Sequence, residues 1–269
     1  MRKLTIAGKT TEVPSEWNEL LDEQLQKLAN WTSEACSLPE ARLKMLLYCI
    51  GARVRQANKL TRDVFALAWG SKTVYLSAAE LEEMGRMLDF LFDEKGRLDV
   101  RLTRTPFFRL ETPRMLLMGP DDGLTNISYG QFVQTQSLLP LVTADFDAHI
   151  NAFLCVLWKD MRFEPIEDGD PDWFADVPSD VKRVLLWHYV GSMRFIAEKF
   201  PRLFGGGDAS DDDGSPFEAH QRIIDELAGG DVTKKEQVRR SPLYDALYTL
   251  EMAIERKEER DDRQPFMQN

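Results

Sequence analysis

Three histidines, His149, His188 and His220, are the side chains of this 269-residue chain best suited to bind a metal or move a proton near neutral pH. None stands four residues from another, so no single helix face offers two ligands, and a metal site would have to gather its ligands from distant segments. Cys36, Cys49 and Cys155 form no C-x-x-C pair and are read as small buried hydrophobes. The chain has no G-x-S-x-G elbow, no Walker A loop and no G-x-G-x-x-G. Gly205-Gly206-Gly207 is followed by acids, which would repel the phosphate that a glycine loop holds. Asp208, Ser210 and Asp212 begin like a calcium loop, but its sixth position is Asp213 and its twelfth Ala219, so they are read as a solvated linker. Glu164, Glu167, Asp168, Asp170 and Asp172 are carboxylates without a sugar cleft around them. No catalytic residue, cofactor site or metal site is assigned.

Charge is the more informative chemistry. Arg101, Arg104, Arg109 and Arg114 are interrupted only by Glu111, a basic strip in a chain whose net charge is -11. Such a strip either grips an acidic neighbour, from this chain or another, or guards a solvated edge strand. The net charge opposes nucleic acid as a main partner. Of six tryptophans, Trp173 lies in the acidic loop and is expected to make an exposed contact, the others to fill core. Leu243, Leu247 and Leu250 recur at helical spacing and are read as an amphipathic face that could dock on a partner.

The elements that must position these residues follow from periodicity. Lys3 to Val13 alternates around Gly8-Lys9 and predicts a β-hairpin ended by Pro14. Ser15 is the expected cap of a helix running to about Trp31, and Ser37 with Pro39 the start of a second. Thr61 to Gly70 reads as helix or strand, and Lys72 to Leu76 as a strand. Ser77-Ala78-Ala79-Glu80 is a capping box opening a helix through Phe92. Pro106, Pro113 and Pro120 forbid a long helix across residues 93 to 123, which are read as extended segments. Leu124 to Phe204 is the hydrophobic spine, expected as two buried helices joined by the acidic loop. The fold class expected is mainly α: a helical bundle-like core, a short N-terminal β-hairpin and a few extended segments in the middle.

Four regions are expected: 1–123, the spine at 124–204 packed with it, a flexible acidic linker at 205–216, and a helical appendage with a charged tail at 217–269. Residues 205 to 269 carry 16 Asp and Glu against 9 Lys and Arg. The apolar runs are far short of the roughly 20 residues that span a bilayer, and no h-region follows Arg2-Lys3, so neither a membrane nor a signal peptide is expected.

Val13-Pro14-Ser15-Glu16-Trp17-Asn18-Glu19-Leu20 with Gln24, after the Gly8-Lys9 hairpin, resembles the start of small phage and prophage proteins of Bacteroidetes-type genomes. Gly119-Pro120, Leu124-Thr125-Asn126-Ile127, Gln131-Phe132 and Phe200-Pro201-Arg202-Leu203-Phe204 extend the resemblance. It implies a virion morphogenesis protein, similar to tail assembly chaperones, that binds a phage structural protein or itself in the bacterial cytoplasm. Its motifs are structural, so no functional residue is carried over. A virion component such as a head-tail connector is the alternative, and a metal-assisted hydrolase built from the histidines and loop acids is a third.

Overall fold

A computed structural model describes residues 1–6, 8–33, 36–57, 63–113, 115–160, 170–204, 223–225 and 227–263. Arg114, His220, the acidic stretch 164–169, the linker 205–216 and most of the helix expected at 217–228 therefore lie outside the described residues. Helices predominate, but three small antiparallel sheets accompany them, so the mainly α reading holds in part. The chain divides into two compact units, Met1–Leu102 with Asp180–Trp187, and Thr103–Ser179 with His188–Asn269. This division differs from the expected boundaries at 123 and 204.

In the first unit, β1 (Arg2–Ile6) and β2 (Lys9–Val13) form the hairpin, with Ile6 opposite Lys9 and Gly8 at φ 77 in the turn. Ser15 does not cap a helix: its N–H and hydroxyl both donate to the Glu19 carboxylate, at 2.7 and 2.8 Å. A 3-10 turn, Trp17–Glu19, follows, and α1 (Asp22–Ser33) starts only after Leu20. Ser37 caps α2 (Leu38–Ile50) as expected, and Gly51 ends it at φ 66, where a side chain would be strained. β3 (Ala52–Ala57), β4 (Val64–Trp69) and β5 (Lys72–Ser77) form a meander. β3 goes unrecognised in the sequence because its alternation, Ala52-Arg53-Val54-Arg55, is short and weakly apolar, and a register shift interrupts the pairing after Val54. β4 is the central strand, which settles its helix-or-strand ambiguity. The Ser77–Glu80 capping box opens α3 (Ala78–Gly85), which tightens into a 3-10 turn over Arg86–Leu91 in place of the longer helix expected. The unit is packed around Trp17, whose ring meets Trp187 edge-on at 5.7 Å.

In the second unit, β6 (Arg109–Glu111), β7 (Leu116–Met118) and β8 (Lys159–Asp160) form a sheet in that order. The first half of the spine is two helices, α4 (Tyr129–Ala144) and α5 (Phe146–Leu157), because Asp145 ends one and caps the other, accepting from the Ala148 N–H at 3.1 Å. Then come α6 (Ser179–Lys199) and the short α7 (Pro201–Phe204), so the two-helix reading of the spine is corrected to four α-helices among the described residues. α6 contributes Asp180–Trp187 to the first unit and the remainder to the second.

α8 (Val232–Arg240) and α9 (Leu243–Arg263) complete the second unit. The expected appendage is instead integrated: the Tyr129 N–H donates to the Ser241 carbonyl and the Leu243 N–H to the Ile127 carbonyl, at 2.9 and 3.0 Å. Glu251 of α9 accepts from the Arg202 and Leu203 N–H groups at 3.2 Å each, satisfying donors that the short α7 cannot pair internally. The Arg202 guanidinium reaches Glu255 and Glu258 on the next turns, at 3.1 and 3.3 Å. α9 continues to Arg263, so the charged tail is helical that far.

Candidate functional site

Register defines the face that carries the site. Leu110, Leu117 and Asp160 occupy one row of the β6-β7-β8 sheet, and Arg109, Met118 and Lys159 the next. Leu117 and Asp160 are buried, so the alternation of a strand puts Arg109, Met118 and Lys159 on the outer face. Arg109 and Lys159 are exposed and Met118 half-buried between them. Among the described residues neither cation has a carboxylate partner.

Two loops beside this row are tied together. The Thr105 N–H donates to Asp122 Oδ1 at 2.7 Å and the Thr105 hydroxyl to the Pro120 carbonyl at 2.6 Å. The Gly123 N–H donates to the Thr103 carbonyl at 2.7 Å and the Gly119 N–H to the Phe108 carbonyl at 3.0 Å. Phe107 and Leu124 sit at positive φ, 47 and 61, a conformation that costs a non-glycine residue about 1–3 kcal/mol and persists only where its surroundings impose it. Phe108 is left 38% exposed at the lip.

Behind the lip is a cavity of about 290 Å³, with Met118, Pro120, Ile127 and Leu157 as apolar wall and Asn126, Gln131, Lys159 and the carboxylates Asp121 and Asp160 as polar lining. Gln131 is held at both ends, donating to the Val156 carbonyl at 2.7 Å and accepting from the Ser128 N–H at 2.9 Å, so this wall is preorganised. The volume lies just under the range for cofactor and drug-sized sites, roughly 300–1,000 Å³, and suits one anchoring side chain. A larger cavity of about 440 Å³ in the first unit, between Pro39 and Phe92, has its cation already engaged, Arg42 to Asp89 at 2.6 Å.

Gly119 is required by the close approach of Trp158: a Cβ there would lie 2.9 Å from the ring's Cη2 and Cζ2. Trp158 is itself buried and meets the Phe174 ring edge-on. Gly119→Ala is expected to lower stability by about 1–3 kcal/mol, the usual cost of overpacking, read as a lower urea midpoint at unchanged slope.

Of the residues singled out by sequence, Arg104 and Arg109 belong to this unit, Arg101 belongs to the first unit and is paired with Asp99 at 2.9 Å, and Arg114 lies outside the described residues. Leu243, Leu247 and Leu250 are buried within the second unit, so their apolar stripe is covered by this chain. Trp173 is half-buried in a 3-10 turn, Pro171–Phe174, more enclosed than the exposed contact expected of it. Lys159 and Phe108 were not legible as site residues, because Lys159 joins Met118 only through the β7–β8 pairing. A positively charged residue directly after the apolar run 152–158 is the one signal that marks it.

His188 stands behind the same loops, its Nε2 3.1 Å from the Thr103 carbonyl; since a carbonyl only accepts, that nitrogen carries the proton. Burial pushes its pKa down to about 4, against the pull of the Thr103 carbonyl and Asp122. His149 is half-buried on α5, and among the described residues no group of three or more His, Cys, Asp or Glu is placed to hold a metal ion. Burial likewise pushes the Cys49 and Cys155 thiols up to about 12, away from nucleophilic thiolate. Among the described residues no helix is long and apolar enough to cross a membrane. The sequence matches no family model, and comparisons with curated proteins and with solved structures return no match either.

Proposed function

We propose that this protein is a nonenzymatic assembly factor of a phage or prophage, similar to tail assembly chaperones, which holds a tail or tape-measure protein in the cytoplasm of the bacterial host. The phage assignment rests on the scattered sequence resemblance. The binding role rests on one observation: two exposed cations that have no carboxylate partner among the described residues, Arg109 and Lys159, share a sheet row with Met118, and Met118 and Lys159 line a preformed cavity with the half-exposed Phe108 at its lip. Unpaired cations beside an apolar recess have the composition of a binding surface, in which a central pocket takes an anchor and the rim supplies charge. The helices of the second unit act as the packed body behind that face.

The test is coexpression of the tagged chain with the tail genes adjacent to its own, followed by pull-down. Retention of a tail or tape-measure protein, together with absence of this chain from purified particles by mass spectrometry, is the expected result. Failure to retain any structural protein removes the assembly role, and stoichiometric presence in particles replaces a chaperone with a virion component.

A further inference from the structure

We propose that the Arg109–Met118–Lys159 row and the cavity beside it recognise a peptide segment in which one large apolar side chain is flanked on both sides by carboxylates. This rests on the protein-binding reading above and adds the chemistry of what is bound.

Arg109 and Lys159 stand one strand to either side of Met118, which puts their Cα atoms about 10 Å apart at ordinary strand spacing. An acidic residue on one side only would satisfy one cation; acids on both sides of an anchor satisfy both. The anchor has a place to go, because the cavity is walled by Met118, Ile127 and Leu157 and its volume admits a single side chain. Phe108 at the lip covers the anchor once it is seated. Glu111 lies on the outer face two residues along β6 from Arg109, and Asp121 is an exposed carboxylate in the lining, so the surface alternates in sign. Carboxylates displaced from the cationic row meet Glu111 or Asp121, and this repulsion selects one register.

The probe is a carboxyfluorescein-labelled peptide, Gly-Ser-Glu-Glu-Phe-Glu-Glu-Ser-Gly-amide, titrated with the full-length protein by fluorescence anisotropy at low and at high salt. Binding that weakens with salt is expected, and the doubly substituted Arg109→Glu/Lys159→Glu protein should bind about tenfold more weakly. Phe108→Ala should weaken it severalfold with little change in salt dependence. Lys3→Glu/Lys72→Glu makes the same change of net charge at exposed positions of the first unit and should leave affinity unaltered. No binding of the probe, equal binding of its all-glutamine counterpart, equal loss in the Lys3/Lys72 protein, or equally tight binding of a labelled oligothymidylate would each overturn the proposal. Because the probe is free of any tail protein, its binding alongside a negative pull-down removes the assembly role and leaves this site standing. A positive pull-down with no probe binding removes the site alone.

Discussion

Lowering the pH from 6.5 to 4 should cost this protein about 3 kcal/mol of folding stability through His188 alone. The imidazole is 3% exposed, and burial holds its folded pKa near 4 while the unfolded chain titrates near 6.5. Between those values the unfolded state binds the proton and the folded state does not. The contribution is therefore complete above pH 6.5 and declines as the pH falls towards 4. Carboxylates titrate in part of the same range, so the quantity to measure is a difference of slopes. Urea midpoints at pH 7, 5.5 and 4.5 should fall more steeply for the natural protein than for His188→Gln, which keeps a donor for the Thr103 carbonyl but does not titrate. Parallel slopes would show that His188 is not buried in its neutral form. The same bond anchors the loop beginning at Thr103, whose tie to Gly123 helps shape the cavity, so the acid range is also where the candidate site should lose definition first.

Phe153→Ala should destabilise the second unit by about 3–5 kcal/mol, the range for truncating a fully buried phenylalanine. Phe153 is 0% exposed and meets the Tyr189 ring edge-on at 4.9 Å. Tyr189 cannot move into the vacancy because its hydroxyl is fixed in an ordered chain. Gln136 Nε2 donates to the Tyr189 hydroxyl, which donates to Thr135 Oγ1, and Thr135 spends its own proton on the Phe132 carbonyl, at 2.9, 2.9 and 2.8 Å. The cavity left by truncation thus stays open, which places the expected cost towards the upper end of that range. Phe153→Leu, which refills most of the volume, should recover more than half of the loss. Denaturant unfolding followed by tyrosine near-ultraviolet dichroism reports both, and a cost below about 1 kcal/mol for the alanine variant would contradict the packing described.

Local signals hold where neighbours in sequence settle the outcome. The Gly8 hairpin, the Ser37 cap and the Ser77–Glu80 capping box all appear where periodicity and turn chemistry place them. Errors occur where two local options compete. Ser15 has the composition of a helix cap, yet the Glu19 carboxylate one turn on draws its donors away, and α1 begins later. Asp145 sits in a continuous apolar pattern and still divides the spine, since a side-chain cap ends one helix as readily as it starts another.

The sequence by itself determined the predominance of helix, the N-terminal hairpin and the identity of the basic strip, because each depends on residues a few positions apart. It could not determine which arginines act together or which leucines remain free, because those are properties of long-range pairing. Only the tertiary structure buries Leu243, Leu247 and Leu250, turning an apparent docking stripe into core. Only the β7–β8 pairing brings Lys159 into line with Met118 and Arg109, since a sheet joins residues by hydrogen bonds between strands and not by their distance along the chain.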